Sequence, residues 1–144
     1  MKFELFIDKN GEEKVQVFAK EENDLVRAIK DIILSQNFSL VGYIEREGYP
    51  LKSEEVDCFF SEDGKTIALV GTKRYKIRER LYALEEKLSR DFVRINQSCL
   101  INIHSIKKFE VVFSGSLTVR LKNDYCDYVS RRNLKAVKER LGIK

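Results

Sequence analysis

The sequence predicts a mainly β fold of the α+β class, in which short antiparallel strands carry a few helices and follow an amino-terminal β-hairpin and helix extension. Three observations predict it. Most apolar residues fall in short runs, Asn-Gly, Asp-Gly, Ser-Gly and Asn-Asp turn signals separate those runs, and helical periodicity appears in only three stretches. The chain has 144 residues, 43% hydrophobic and 35% charged, with one proline. That size and composition fit one ordered domain with a small extension, divided here as residues 1–37 and 38–144.

Residues 2–7 and 14–19 place Phe, Ile and Val at alternating positions around Asn10-Gly11, a strong turn pair, and so predict a hairpin. Over residues 22–35, Leu25, Ile29, Ile32 and Ile33 recur at helical spacing, with Asn23 or Asp24 as the cap and Gln36-Asn37 as the break. From Phe38 to Ile77 the runs FSLVGYI, a segment around Tyr49-Pro50-Leu51, VDCFF, TIALVG and RYKI predict a meander of strands, with a turn at SEDGK. Helical spacing returns over residues 79–89 through Leu81, Leu84 and Leu88. DFVRINQSCLINIHSI follows, and IKKFEVVF, SLTVRL and YCDYVS then read as strands with turns at Ser114-Gly115 and Asn123-Asp124. A last helix runs from Ser130, its cap, to Gly142, with Leu134, Val137 and Leu141 facing inward.

Several function classes are disfavoured. No apolar run approaches the roughly 20 residues of a membrane span, and the amino terminus turns acidic too early for a signal peptide, so a cytoplasmic chain is expected. No Gly-rich phosphate loop, zinc-protease motif or nucleophile elbow is present. The single histidine, His104, lies among polar residues and is expected at a surface turn. Cys58, Cys99 and Cys126 are widely spaced and are expected as packed strand residues rather than metal ligands. The expectation is therefore a protein without enzymatic activity, catalytic residues, metal, cofactor or small-molecule substrate.

Charge is more informative. Residues 1–89 carry 15 Lys and Arg against 18 Asp and Glu, whereas residues 90–144 carry 12 against 5. The second segment is thus +7 and attracts polyanions. Arg131-Arg132 directly follows the cap Ser130, where cations oppose the helix dipole by about 0.3–1 kcal/mol each when exposed. A phosphate held by free backbone N–H groups, the Ser130 hydroxyl and a guanidinium would satisfy all of these; two screened surface arginines are the plainer reading. Arg94, Asn96, Gln97 and Ser98 similarly combine a guanidinium, two amides and a hydroxyl, the set that reads base edges, but also an ordinary polar loop.

FVRINQSCLINIHSIKKF, followed by YVSRRNLKAVKERLG, resembles the LytTR-type DNA-binding domain of bacterial response regulators. The matching positions are Phe92, Val93, Arg94, Asn96-Gln97-Ser98, Leu100-Ile101 and Asn102, then Val129-Ser130-Arg131-Arg132. The resemblance reaches back over VDCFFSEDGKTIALV and RYKIRERLYALEEKL, to about residues 38–143. It implies about ten short strands in an elongated arrangement whose loops, not a recognition helix, enter successive major grooves. By that resemblance Lys65, Thr66, Asn96, Gln97 and Arg132 fall at base-contacting positions. Arg94, Ser98, Tyr128, Ser130, Arg131, Asn133 and Lys135 fall at phosphate-contacting ones. Many members have histidine and a basic residue where Asn96-Gln97 stands, so the preferred bases differ there. The 37 residues before Phe38 are too few for a receiver domain, so the chain is more similar to the free-standing members.

The expected function is a sequence-specific transcription regulator bound to double-stranded DNA at promoter repeats, as a homodimer at least on DNA; the resemblance to the free-standing members also implies a small membrane protein as candidate inhibitor. The alternative is a protein-interaction module whose extension binds a partner and whose nucleic-acid affinity is non-specific. RNA binding ranks third, because no paired aromatic signature lies on adjacent strands.

Overall fold

The computed structural model describes residues 1–37, 40–88, 90–112 and 115–143. Phe38 at the start of the first predicted strand, Ser89 at the end of a predicted helix and Ser114 of a predicted turn lie outside them. In chain order the elements are α1 (Asp24–Asn37), β1 (Leu40–Ile44), β2 (Glu47–Leu51), β3 (Cys58–Glu62), β4 (Lys65–Val70), β5 (Lys73–Ile77), α2 (Leu81–Lys87), β6 (Phe92–Asn96), β7 (Cys99–Asn102), β8 (Ile106–Val111), β9 (Leu117–Leu121), β10 (Cys126–Val129) and α3 (Arg131–Leu141). The mainly β, α+β class is as expected.

Seven strands form one antiparallel sheet in the order β2-β1-β5-β4-β3-β7-β6, and three form a second in the order β10-β9-β8. Local chemistry sets the hairpins. Asp63-Gly64 joins β3 to β4 with both residues at positive φ, 52° and 74°, the conformation that matches the twist of a two-residue hairpin. Pro50 sits in β2, an edge strand, where its missing N–H costs the ladder least. Gly42 in β1 is a packing requirement: a Cβ there would lie 2.6 Å from the Tyr75 Cβ and 2.7 Å from a Leu51 methyl.

The large sheet is covered on both faces. On one face Phe59, Ala68, Tyr75, Ile77 and Leu100 pack with Leu81, Leu84 and Leu88 at α2. On the other, Cys58, Phe60, Val93, Ile95, Cys99 and Ile101 pack with Leu117, Val119 and Leu121 of β9 and with Val137 of α3. Burial on both faces explains why CFF and CLI are continuous apolar runs rather than alternating ones. α3 begins at Ser130 and stops at Gly142, whose φ of 71° allows Ile143 N–H to reach the Lys138 carbonyl at 2.8 Å.

The amino-terminal extension departs from expectation in one respect. The turn forms, with Gly11 N–H donating to the Asp8 carbonyl and Asn10 N–H to the Asp8 carboxylate. α1 also forms, capped by the Asn23 side chain, which accepts from Val26 N–H at 3.0 Å. No ladder joins residues 2–7 to 14–19. A two-stranded hairpin is marginal without a surface to lie on, and every residue from 1 to 25 is exposed.

At the end of β3 remote from its hairpin, a polar clasp ties the two sheets together. The Asp57 carboxylate accepts from the Ser105 hydroxyl at 2.7 Å and from Gly71 N–H at 2.7 Å, and Asn123 donates to the Gly71 carbonyl at 2.9 Å. These residues come from the β4–β5 turn, the segment before β8 and the β9–β10 turn. Asp57→Ala strands the buried Ser105 hydroxyl and removes the acceptor of Gly71 N–H, and is expected to lower stability by about 1–3 kcal/mol in urea denaturation. An unchanged midpoint would contradict the clasp.

Candidate nucleic-acid interface

The opposite end of the large sheet gathers three chain segments. Ser61 N–H donates to the Ser98 carbonyl at 2.9 Å, which sets the β3–β4 hairpin tip beside the β6–β7 turn. Ser130 N–H donates to the Ile95 carbonyl at 2.8 Å, which sets the start of α3 on the other side of that turn. The basic helix start and two loops of different origin therefore share one end of the molecule.

Asn96 holds this junction together. It is 2% exposed; its amide N–H donates to the Tyr128 carbonyl at 2.9 Å and its Oδ1 accepts from Ser98 N–H at 2.8 Å. Both ends of the side chain are thus occupied inside the protein, and Gln97 and Ser98 form the exposed tip of the turn. Arg94 is committed inward as well. Its Nε donates to Glu85 of α2 at 2.7 Å, and its Nη1 to the carbonyls of Gln97 at 2.8 Å and Asn96 at 3.2 Å. A guanidinium suits this task because its rigid fork serves several acceptors at once.

The other expected contact residues divide by exposure. Lys65 stands exposed at the first hairpin tip, whereas Thr66, next to it, is buried. Tyr128 is 60% exposed, and Arg131, Arg132 and Lys135 project from α3. None of those three cations meets a carboxylate among the described residues. Ser130 occupies the cap position without donating or accepting a helix-capping side-chain bond; its Oγ accepts from the Asn133 amide at 2.7 Å. That pair shapes the helix start, where Asn133 N–H also donates to the Ser130 carbonyl at 3.0 Å.

A shallow groove between the hairpin tip and the β6–β7 turn is lined by Gly64, Thr66, Arg80, Tyr82, Gln97 and Ser98. Arg80 and Tyr82 are additions to the residues anticipated from sequence. Tyr82 is 66% exposed on α2, and nothing in one sequence brings that helix to this loop.

His104 lies at the surface in a short 3-10 turn, 3.0 Å from the Asp91 carboxylate. Cys58 and Cys99 are packed strand residues as expected, and burial pushes the Cys99 thiol up to about 12 and the Cys58 thiol higher. Cys126 departs from expectation. It is exposed, because β10 is an edge strand and residues 126 and 128 face outward.

The LytTr DNA-binding domain family matches residues 46–142. Two relatives from Staphylococcus aureus, strains COL and MW2, each named an uncharacterized HTH-type transcriptional regulator, are 34% identical over 146 residues, 99% of both chains. A solved LytTr DNA-binding domain from Bacillus cereus superposes with a TM-score of 0.68 at 19% identity, over 73% of this chain and 97% of that one. The fold is thus shared. The helix-turn-helix of the relatives' names has no counterpart here, since no two α-helices are consecutive among the described residues.

Asn96→Ala is expected to cost about 1–3 kcal/mol of folding stability through the stranded Tyr128 carbonyl and Ser98 N–H, whereas Gln97→Ala leaves the denaturation midpoint unchanged. Similar midpoints for both variants would remove the structural role of Asn96. Iodoacetamide at mildly alkaline pH should label one thiol, Cys126, in the folded chain and all three after denaturation, as read by mass spectrometry. Labelling of Cys99 without unfolding would contradict its burial.

Proposed function

The chain belongs to the LytTr DNA-binding domain family, and from that premise we propose that it reads specific double-stranded DNA through loops set in successive major grooves. Its relatives' names and its family support a DNA-binding transcription regulator. The observation that carries the finer reading is the convergence of two turn tips and a cationic helix start on one end of the sheet, with the side chains of Lys65, Gln97, Arg131 and Arg132 exposed there.

Gln97 and Lys65 are the exposed groups able to reach base edges from the two turns, and Arg132 from the helix start. Arg131, Lys135, Ser98, Tyr128 and the first-turn N–H groups of α3 attract phosphates. Asn96, Thr66, Arg94, Asn133 and the Ser130 hydroxyl, occupied or buried within the protein, serve chiefly to shape the tips that make contact. The regulator works in the cytoplasm, as a homodimer on promoter repeats, since paired modules on one duplex multiply specificity. A small membrane protein remains the candidate inhibitor.

Selection from random duplexes tests the reading, and enrichment of a spaced repeat is the expected outcome. Recovery of random DNA alone would refute sequence-specific reading. Arg132→Ala should relax discrimination at one base pair by about 1–3 kcal/mol. Lys135→Ala should weaken all duplexes alike and reduce the salt slope of log K by about 0.9. Equal effects of the two variants on specific and random DNA would overturn these roles.

A further inference from the structure

The net negative charge of residues 1–89 conceals a basic stretch. Residues 65–80 hold 6 Lys and Arg against 1 Glu. Tyr75 and Ile77 of β5 enter the core under α2, so Lys76 between them stands on the opposite face, paired with Tyr43 of β1. The ladder between β4 and β5 ends at Thr66↔Ile77, and the next residues outward, at the hairpin-tip end of the sheet, are Lys65 and Arg78. Like charges at facing positions destabilise a sheet. Neither cation meets a carboxylate among the described residues, and both are exposed.

Arg78 is nonetheless ordered. Its guanidinium carbon lies over the Tyr43 ring, 4.5 Å from the centroid, on the face away from α2. The ring positions the cation without neutralising it. Arg80, two residues on, goes to the other face: it lines the groove with Thr66, Leu81 and Gln97, on the α2 side of the β3–β4 tip. It too is exposed and meets no carboxylate among the described residues. Arg78 and Arg80 thus stand on opposite faces of the sheet beside one tip.

A major groove is about 12 Å wide, admits a two-stranded ribbon and is walled on each side by the phosphates of one strand. A tip that enters it presents one face of the sheet to each wall. We propose that Arg78 and Arg80 hold the two phosphate backbones that wall the groove entered by the β3–β4 tip, Arg78 on one strand and Arg80 on the other. The inference rests on the tip-in-groove reading above and adds the grip that centres the tip. Guanidinium forks suit both positions because they pair with phosphate oxygens two at a time.

The test titrates the full chain with labelled duplexes, selected and random, over a range of salt. Arg78→Ala and Arg80→Ala should each lower the salt slope of log K by about 0.9, and the double variant by about 1.8, alike on both kinds of duplex. Arg78→Lys and Arg80→Lys should keep the slope, as should Lys73→Ala at the remote end of β5. Unchanged circular dichroism melting establishes that the variants are folded. Single methylphosphonates placed along the selected duplex then separate the walls. A neutralised phosphate on one strand should weaken wild type and Arg80→Ala but not Arg78→Ala, and the other strand should show the converse. Slopes equal to that of wild type would make these screened surface arginines and overturn the inference, while site-specific binding left the reading above intact. Coupling of both arginines to the same strand would overturn the two-wall geometry. Lowered slopes with recovery of random DNA alone would refute base reading and leave the backbone grip standing. A chain that bound no duplex would sink both.

Discussion

Two cores share one sheet, and β3 is where they meet. Phe59 points into the core under α2, while Cys58 and Phe60, one position to either side, point into the core beneath β9 and α3. A strand buried on both faces has no solvent side to relax into, so its position is fixed by packing from both directions. Its neighbours β4 and β7 are held by the same ladder, in register at Phe59↔Ala68 and Phe59↔Leu100. The β3–β4 tip and the β6–β7 turn therefore extend from the best-anchored part of the molecule. A one-residue slip of β3 would exchange the side chains of the two cores and displace both tips together.

That anchoring matters because loops are poor readers unless they are held. Each mobile side chain or segment ordered on binding costs affinity, so a rigid support preserves what the contacts contribute. Here the support is internal hydrogen bonding. Asn96 joins the turn to β10, Arg94 joins it to α2, and Ser61 joins it to the neighbouring hairpin. At the far end of β3, Asp57 clasps the small sheet to the large one. α3 and the turns are thus parts of one frame, and the distances between their tips are set by the protein's own hydrogen bonds.

Local signals made most of this architecture legible in the sequence. Asp63-Gly64 and Asn123-Asp124 marked turns, and Ser130 and Gly142 marked the ends of α3. The residues that carry the family resemblance include buried ones, Val93, Leu100, Ile101 and Val129, as well as the exposed Gln97, Ser98, Arg131 and Arg132. Burial that depends on distant partners was not legible. Asn96 and Gln97 are adjacent amides of the same type, and only the Tyr128 carbonyl, 32 residues on, makes one structural and leaves the other exposed. Cys126 resembles Cys58 in its surroundings along the chain, yet one lies on an edge and the other at the sheet's centre. The amino-terminal hairpin fails for the same reason: its alternation is genuine, but no other part of the chain packs on it.

The division of labour between Asn96 and Gln97 has an evolutionary side. Asn96 and Arg94 hold the frame, so replacing them costs folding stability, whereas the side chains at residues 65, 97 and 132 are exposed and can change without that cost. Under the proposed assignment each tip reads its own part of the site, so a single substitution alters one preferred base pair and leaves the others as they were. A duplicated copy of such a gene can separate its targets from those of its parent by small steps, each folded and each still able to bind.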